Sequence, residues 1–263
     1  MIGFFQFSPG FAGNFFQKLL LWRYGYLKET PKADTAWNEY YSIDLSTDYG
    51  NFRRLRWEDH YGKRWYDPRT NMASPYKQER VQQYLRSHKN IQQHIQLGGD
   101  AYILDHGLYP NLSNLFKTIY PNEQLAVFTI STLDQNVSDF YFVVDSTKSQ
   151  FKKFYGQEQS HTESKTFDVD VNHIRENIKI GMNTAQRKRW MKQHSLEQQH
   201  CDYYLDVEQI MKGNKEPWQI IDEFYKKSSV VSHDKVQRCC RLYHQRNVSL
   251  VREIDVNIEG KEK

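Results

Sequence analysis

The sequence predicts an α/β fold, a central parallel sheet flanked by helices on both faces. Three observations predict it. Apolar runs of strand length stand at Met1–Phe7, Ala101–Leu104 and Leu125–Ile130. Segments with apolar residues at helical spacing separate them. The connections are short, as in successive strand–helix–strand units, whose strands are covered on both faces and therefore read as continuous apolar text.

Met1–Phe7 reads M-I-G-F-F-Q-F, with the aromatic and β-branched content of a buried strand. Ser8-Pro9-Gly10-Phe11-Ala12-Gly13-Asn14 then breaks every regular pattern, with Gly10 and Gly13 three residues apart. From Phe15 the text becomes F-F-Q-K-L-L-L-W-R-Y, apolar enough for a buried helix. A strand, a glycine-containing turn and a helix are the parts of an anion cradle. Glycine lets the backbone approach the anion, and the first N–H groups of the helix point at it. The same three parts also make a plain strand–turn–helix unit that binds nothing. The loop is not a Walker A, because Gly13 is followed by Asn14 and Phe15 and no lysine precedes Lys18. An ATP or GTP hydrolase needs that lysine on its β/γ-phosphates.

Residues 28–75 are polar, aromatic and irregular, and read as an insertion into one domain spanning 1–263. Within it Arg53, Arg54, Arg56, Lys63, Arg64 and Arg69 interleave with Trp57, Tyr61, Trp65 and Tyr66. Such text can bind nucleic acid by phosphate contacts and stacking. Glu58, Asp59 and Asp67 dilute the charge, which favours a surface insertion packed down by its aromatics. Ser74-Pro75 reads as an N-cap with proline at the first helical position, opening a helix through Val81, Tyr84, Leu85, Ile91 and Ile95 to Gly98-Gly99. The strand Ala101–Leu104 runs out in Asp105-His106-Gly107. Leu112–Tyr120 reads as an amphipathic helix, with Leu112, Leu115, Phe116 and Ile119 on one face. Strand Leu125–Ile130 is followed by Ser131-Thr132-Leu133-Asp134, where another helix starts and runs through Ser138 and Phe140. A long helix is expected over 168–194, basic at its end in Arg187, Lys188, Arg189 and Lys192. Tyr203–Leu205 reads as a strand, Pro217 opens a helix with Trp218, Ile221, Phe224 and Tyr225, and Ser232 caps a last one with Val236, Cys239, Cys240 and Tyr243. The charged tail after Arg252 is expected to fray.

A chain of 263 residues can bury a sizeable core as one α/β domain. Hydrophobic residues make up only 38%, but aromatics reach 15% and each buries a large area. The net charge of +4 suits an anionic ligand and falls short of a dedicated nucleic-acid binder. Cys201, Cys239 and Cys240 have neither metal spacing nor an even disulfide framework, so a reducing, intracellular setting is expected, with no metal. No apolar window is long enough for a membrane span. The apolar start lacks the basic n-region and the A-x-A-like cleavage site of a signal peptide.

In this order the pieces resemble the sulfotransferase branch of the P-loop fold. That family's first strand–loop–helix, P-K-S-G-T-T or a relative, holds the 5′-phosphosulfate end of 3′-phosphoadenosine-5′-phosphosulfate (PAPS). Gly10-Phe11-Ala12-Gly13-Asn14-Phe15 occupies its register. Ile103-Leu104-Asp105-His106 is similar to the family's T-H-x-P-like strand exit with its catalytic histidine, and Tyr120-Pro121 to its F-P-x-A-K. The R-D-P-R-D-V-x-x-S that grips the 3′-phosphate corresponds to Ile130–Ser138, which keeps Asp134 and Ser138. Tyr203–Glu208 and Ile220–Tyr225 resemble the late strand, E-D-L and F-L-G elements. Two departures matter: the loop lysine corresponds to Phe11, and the 3′-phosphate arginine to Ile130. The resemblance implies a three-layer P-loop-like architecture and in-line sulfuryl transfer from PAPS to a hydroxyl or amine. In that reading His106 is general base. The donor is held by Ser8, Gly10, Phe11, Ala12, Gly13, Asn14, Phe15, Asp134 and Ser138, and Arg187, Lys188 and Arg189 come over the nucleotide to replace the missing charge. Two other readings stay open: a different P-loop nucleotide enzyme such as a small kinase, and a degenerate member of the fold that binds nucleic acid or protein.

Overall fold

The computed structural model describes residues 1–7, 13–28, 30–31, 52–55, 66–67, 72–73, 75–105, 111–134, 136–137, 140, 195 and 198–259. Seven strands are assigned among them: β1 (Ile2–Phe7), β2 (Phe52–Arg54), β3 (Tyr66–Asp67), β4 (Met72–Ala73), β5 (Asp100–Asp105), β6 (Leu125–Ser131) and β7 (Tyr203–Asp206). The helices are α1 (Gly13–Arg23), α2 (Pro75–Ser87), α3 (Lys89–Leu97), α4 (Leu112–Ile119), α5 (Val207–Lys212), α6 (Lys215–Tyr225) and α7 (His233–Glu259).

Five strands form one sheet in the order β2-β5-β1-β6-β7, and every neighbouring pair is parallel. The three apolar segments therefore lie side by side as expected, with β1 between β5 and β6. β3 and β4 form a separate antiparallel hairpin. Because side chains alternate across a strand, β1 splits its residues between two cores. Phe5 and Phe7 join Tyr102, Phe128, Ile130 and Leu205 under α1, α5, α6 and α7. Ile2 and Phe4 join Ile103 and Val127 under α2, α3 and α4. The result is a three-layer α/β architecture. Each of these large side chains contributes roughly 1.5–3 kcal/mol when removed from water.

Gly3 marks a close crossing at the middle of the sheet. A Cβ there would overlap the hydroxyl of the fully buried Tyr225, which donates to the Ala101 carbonyl at 2.9 Å. α6 therefore packs onto β1 where β1 has no side chain. Asp202 ties α4 to the sheet, its carboxylate accepting from Ser113 Oγ at 2.9 Å and from the Val127 N–H at 2.7 Å.

Several elements differ from the sequence expectation. The segment read as an irregular insertion supplies β2, the edge strand beside β5. Phe-Arg-Arg carries no apolar run, because one charged edge strand needs only Phe52 inside. The helix expected from Pro75 to Gly98 is two helices. They part at His88, whose Nδ1 accepts from the Ile91 N–H and caps α3. α6 starts at Lys215, two residues before Pro217, which sits within its first turn. α5, capped by Asp206 and closed by Gly213 at φ 72°, follows β7 directly. α7 does not fray after Arg252 but continues to Glu259. The expected helix over 168–194 lies outside the described residues, as does most of the segment after Phe140.

Candidate functional site

The exits of the sheet strands define where a ligand can sit. In an open parallel sheet the crevice lies beyond the carboxyl ends, where neighbouring connections leave in opposite directions. From β1 the chain goes to β2, on one outer edge; from β6 it goes to β7, on the other. The crevice is thus between the ends of β1 and β6, where Phe7 pairs with Ile130. The three strand ends read from the sequence share this edge, since Gln6 is in register with Asp105 on one side and Thr129 on the other.

α1 opens on that edge. Its first residue is Gly13, and its first turn, Gly13 to Phe16, contains no acidic residue. The first four N–H groups of a helix have no partner within it, and the dipole places about half a positive charge there. Gly13 is not demanded by its backbone, since a Cβ would make only ordinary contact with Phe7 at 3.5 Å. The side chain of Phe15 is core, stacked on Tyr243 with centroids 3.8 Å apart and planes at 7°. Only its backbone N–H can serve a ligand.

Asp134 follows β6 and is exposed. Its own N–H donates to Thr132 Oγ1 at 3.1 Å, and its carboxylate accepts from the N–H groups of Asn136 and Val137 at 2.8 and 3.2 Å. It caps the helical turn that was expected there. Asp206 does the same for α5, accepting from Glu208 and Gln209. Burial, with Glu208 and Asp134 close by, pushes the Asp206 carboxyl above its usual range despite those bonds. Ile130, where the sulfotransferase pattern has an arginine, is wholly buried in the α1-side core. Ser8, Gly10, Phe11, Ala12, His106, Ser138, Arg187, Lys188 and Arg189 lie outside the described residues, and so does the side chain of Asn14.

Five residues matter here that the sequence did not single out as site residues. Gln6, 1% exposed, donates to Thr129 Oγ1, and its Oε1 is buried without a donor among the described residues. A glutamine inside an otherwise apolar strand was the available signal. Arg54 of β2 donates to Gln17 of α1 at 3.3 Å, and Gln17 donates to Tyr102 Oη at 2.9 Å. Arg53 donates to the Gly98 carbonyl at 2.6 Å. Both arginines of the basic segment that are described are thus bonded to neighbouring elements. Asn247 is the fifth, and its signal was an amide on the apolar stripe of α7.

Fold and site together define an α/β protein with an all-parallel five-stranded sheet, whose connections diverge beside the start of the first helix. No family model, curated protein or solved structure matches the chain. Among the described residues no helix is long and apolar enough to cross a membrane, and no group of three or more His, Cys, Asp and Glu could hold a metal ion.

Proposed function

We propose that the crevice between β1 and β6 takes a phosphate-bearing nucleotide, and that the protein is a sulfotransferase-like enzyme using PAPS as donor. The single observation that carries nucleotide binding is the placement of α1. It is the next described element after the central strand, opens at the carboxyl edge of the sheet, and has no acidic residue in its first turn. The choice of PAPS rests on the resemblance of the motifs at the strand exits. In this reading the N–H groups of Gly13, Asn14 and Phe15 receive the 5′-phosphosulfate. An acceptor oxygen or nitrogen attacks sulfur in line, the bond from sulfur to the phosphate oxygen breaks, and 3′-phosphoadenosine-5′-phosphate leaves. His106 takes the acceptor proton; an imidazole with an ordinary pKa near 6.5 suits that step. Ser138 contacts the 3′-phosphate.

The losses at Phe11 and Ile130 support a second reading, a member of the fold that binds the nucleotide without turning it over. Each charge-assisted contact is worth about 1.5–3 kcal/mol. Thermal unfolding with 3′-phosphoadenosine-5′-phosphate, and separately with ATP plus magnesium, tests nucleotide choice. At 100 times its dissociation constant the right ligand stabilises by about 2.7 kcal/mol. A shift with ATP alone would replace the sulfonucleotide reading by a kinase-like one. A shift with 3′-phosphoadenosine-5′-phosphate and no transfer to any hydroxyl or amine acceptor would favour the non-catalytic reading.

A further inference from the structure

The inward stripe of α7 runs Val236, Cys239, Cys240, Tyr243 and then Asn247, all of them buried. That spacing keeps one helix face toward the core. Its first four members are apolar. The fifth is an asparagine, 4% exposed, whose Nδ2 has no hydrogen-bond partner among the described residues. Buried amides left in this way are uncommon and costly, because the lost bonds to water are not replaced.

Its position follows from the packing of α7 on α1. The chain entering α7 touches the C-terminal end of α1, with the Val230 N–H donating to the Arg23 carbonyl at 2.9 Å. Ten residues into α7, Tyr243 stacks on Phe15, the third residue of α1. The two helices therefore run antiparallel. Asn247 lies one turn beyond Tyr243, about 6 Å further along, whereas α1 has only about 3 Å left before Gly13. By this spacing the amide falls about 3 Å beyond the start of α1, on the stripe of α7 that carries Tyr243.

We propose that Asn247 Nδ2 donates to an anionic oxygen of phosphate or sulfate seated on the first N–H groups of α1. Two independent features point there: a first helical turn with no acidic residue, and a buried donor without an acceptor among the described residues. A neutral amide adds a donor without a counter-charge of its own. The stacked pair Phe15 and Tyr243 fixes the two elements against each other. The inference rests on the nucleotide-site reading above and adds to it a donor from the last helix.

The test is calorimetric titration of the full chain with 3′-phosphoadenosine-5′-phosphate, ATP and inorganic pyrophosphate, for the wild type, Asn247→Asp and Asn247→Leu. Each probe that the wild type binds should bind at least tenfold more weakly to Asn247→Asp, which keeps the size and reverses the electrostatics. Asn247→Leu should lose about tenfold, while its unfolding midpoint without ligand stays level or rises because the orphan donor is gone. Asn247→Asp decides alone if the leucine variant fails to fold. Equal affinity of Asn247→Asp and the wild type for 3′-phosphoadenosine-5′-phosphate would overturn the role of Asn247 and leave the sulfonucleotide reading standing. Wild-type binding of ATP or pyrophosphate but not 3′-phosphoadenosine-5′-phosphate, weakened in Asn247→Asp, would support Asn247 and overturn the sulfonucleotide reading. No binding of any of the three would overturn both.

Discussion

Arg54 on the sheet edge and Gln17 on α1 are joined by a 3.3 Å hydrogen bond from Nη1 to Oε1, and Gln17 is 2% exposed. Gln17 is the fifth residue of α1, so the guanidinium stands about one helical turn from the start of that helix. Two segments of the chain are basic, residues 53–69 and 187–192. Arg54 belongs to the first. Replacing it with methionine should weaken 3′-phosphoadenosine-5′-phosphate binding by about threefold to tenfold, or ~0.7–1.4 kcal/mol. The salt dependence of binding should flatten as well. Calorimetric titration at two ionic strengths measures both, and an unchanged isotherm would leave the site to the helix end alone.

Arg23 closes α1 and is 5% exposed. Its Nε donates to Asp222 Oδ1 at 3.1 Å, the Tyr24 hydroxyl donates to the same oxygen at 3.0 Å, and the guanidinium lies 5.5 Å from the Trp218 ring centroid. Asp222→Leu leaves that guanidinium buried and unpaired, and urea unfolding should show a loss of about 3–5 kcal/mol. Adding Arg23→Met should return most of it, because the apolar pair fills the space without a buried charge. Were the double variant as unstable as the single one, packing rather than charge would be the cause.

His94 sits on α3, 2% exposed, with Arg53, Asp100 and the amino group of Met1 acting on it. Burial, helped by the two positive charges and opposed by Asp100, lowers its pKa to about 4. The unfolded imidazole takes a proton near pH 6.5. Between these values the unfolded state binds more protons than the folded one, so stability from this group is complete above pH 6.5 and falls as the pH drops toward 4. The loss should approach 3 kcal/mol, roughly. Denaturant midpoints measured from pH 7 to 4.5 should decline less steeply in His94→Leu than in the wild type. Parallel declines would show that His94 is protonated in the folded state.

The parts of the fold that were legible are those whose local chemistry and final surroundings agree. β1, β5 and β6 lie inside the sheet, so their sequences are mostly apolar. α4 shows its apolar face at helical spacing because one side meets the sheet. β2 was illegible, since an edge strand of three residues can carry Arg53 and Arg54 and still pair with β5. The break between α2 and α3 falls at Ser87-His88-Lys89, without glycine or proline, and exists because His88 caps the second helix. At the site, the start of α1 was legible from its glycines and the apolar text that follows. Arg54, Gln17 and Asn247 were not, because hydrogen-bond partners drawn from residues 17, 54 and 102, or the lack of a partner at 247, are facts of distance rather than of spacing.

The sequence by itself determined the class. Continuous apolar strands must be covered on both faces, and alternation with helices makes them parallel, so a three-layer α/β architecture followed from the burial of nonpolar surface alone. Tertiary structure decided the strand order, with β1 inside and β2 at an edge, and with it the point between the ends of β1 and β6 where the connections diverge. It also set α7 against α1 with Tyr243 stacked on Phe15, which puts Asn247 one turn further along. The physical reason is that burial of nonpolar surface has no direction. It selects which residues go inside, while the partners of polar groups, which do have direction, depend on how the elements are finally set against one another.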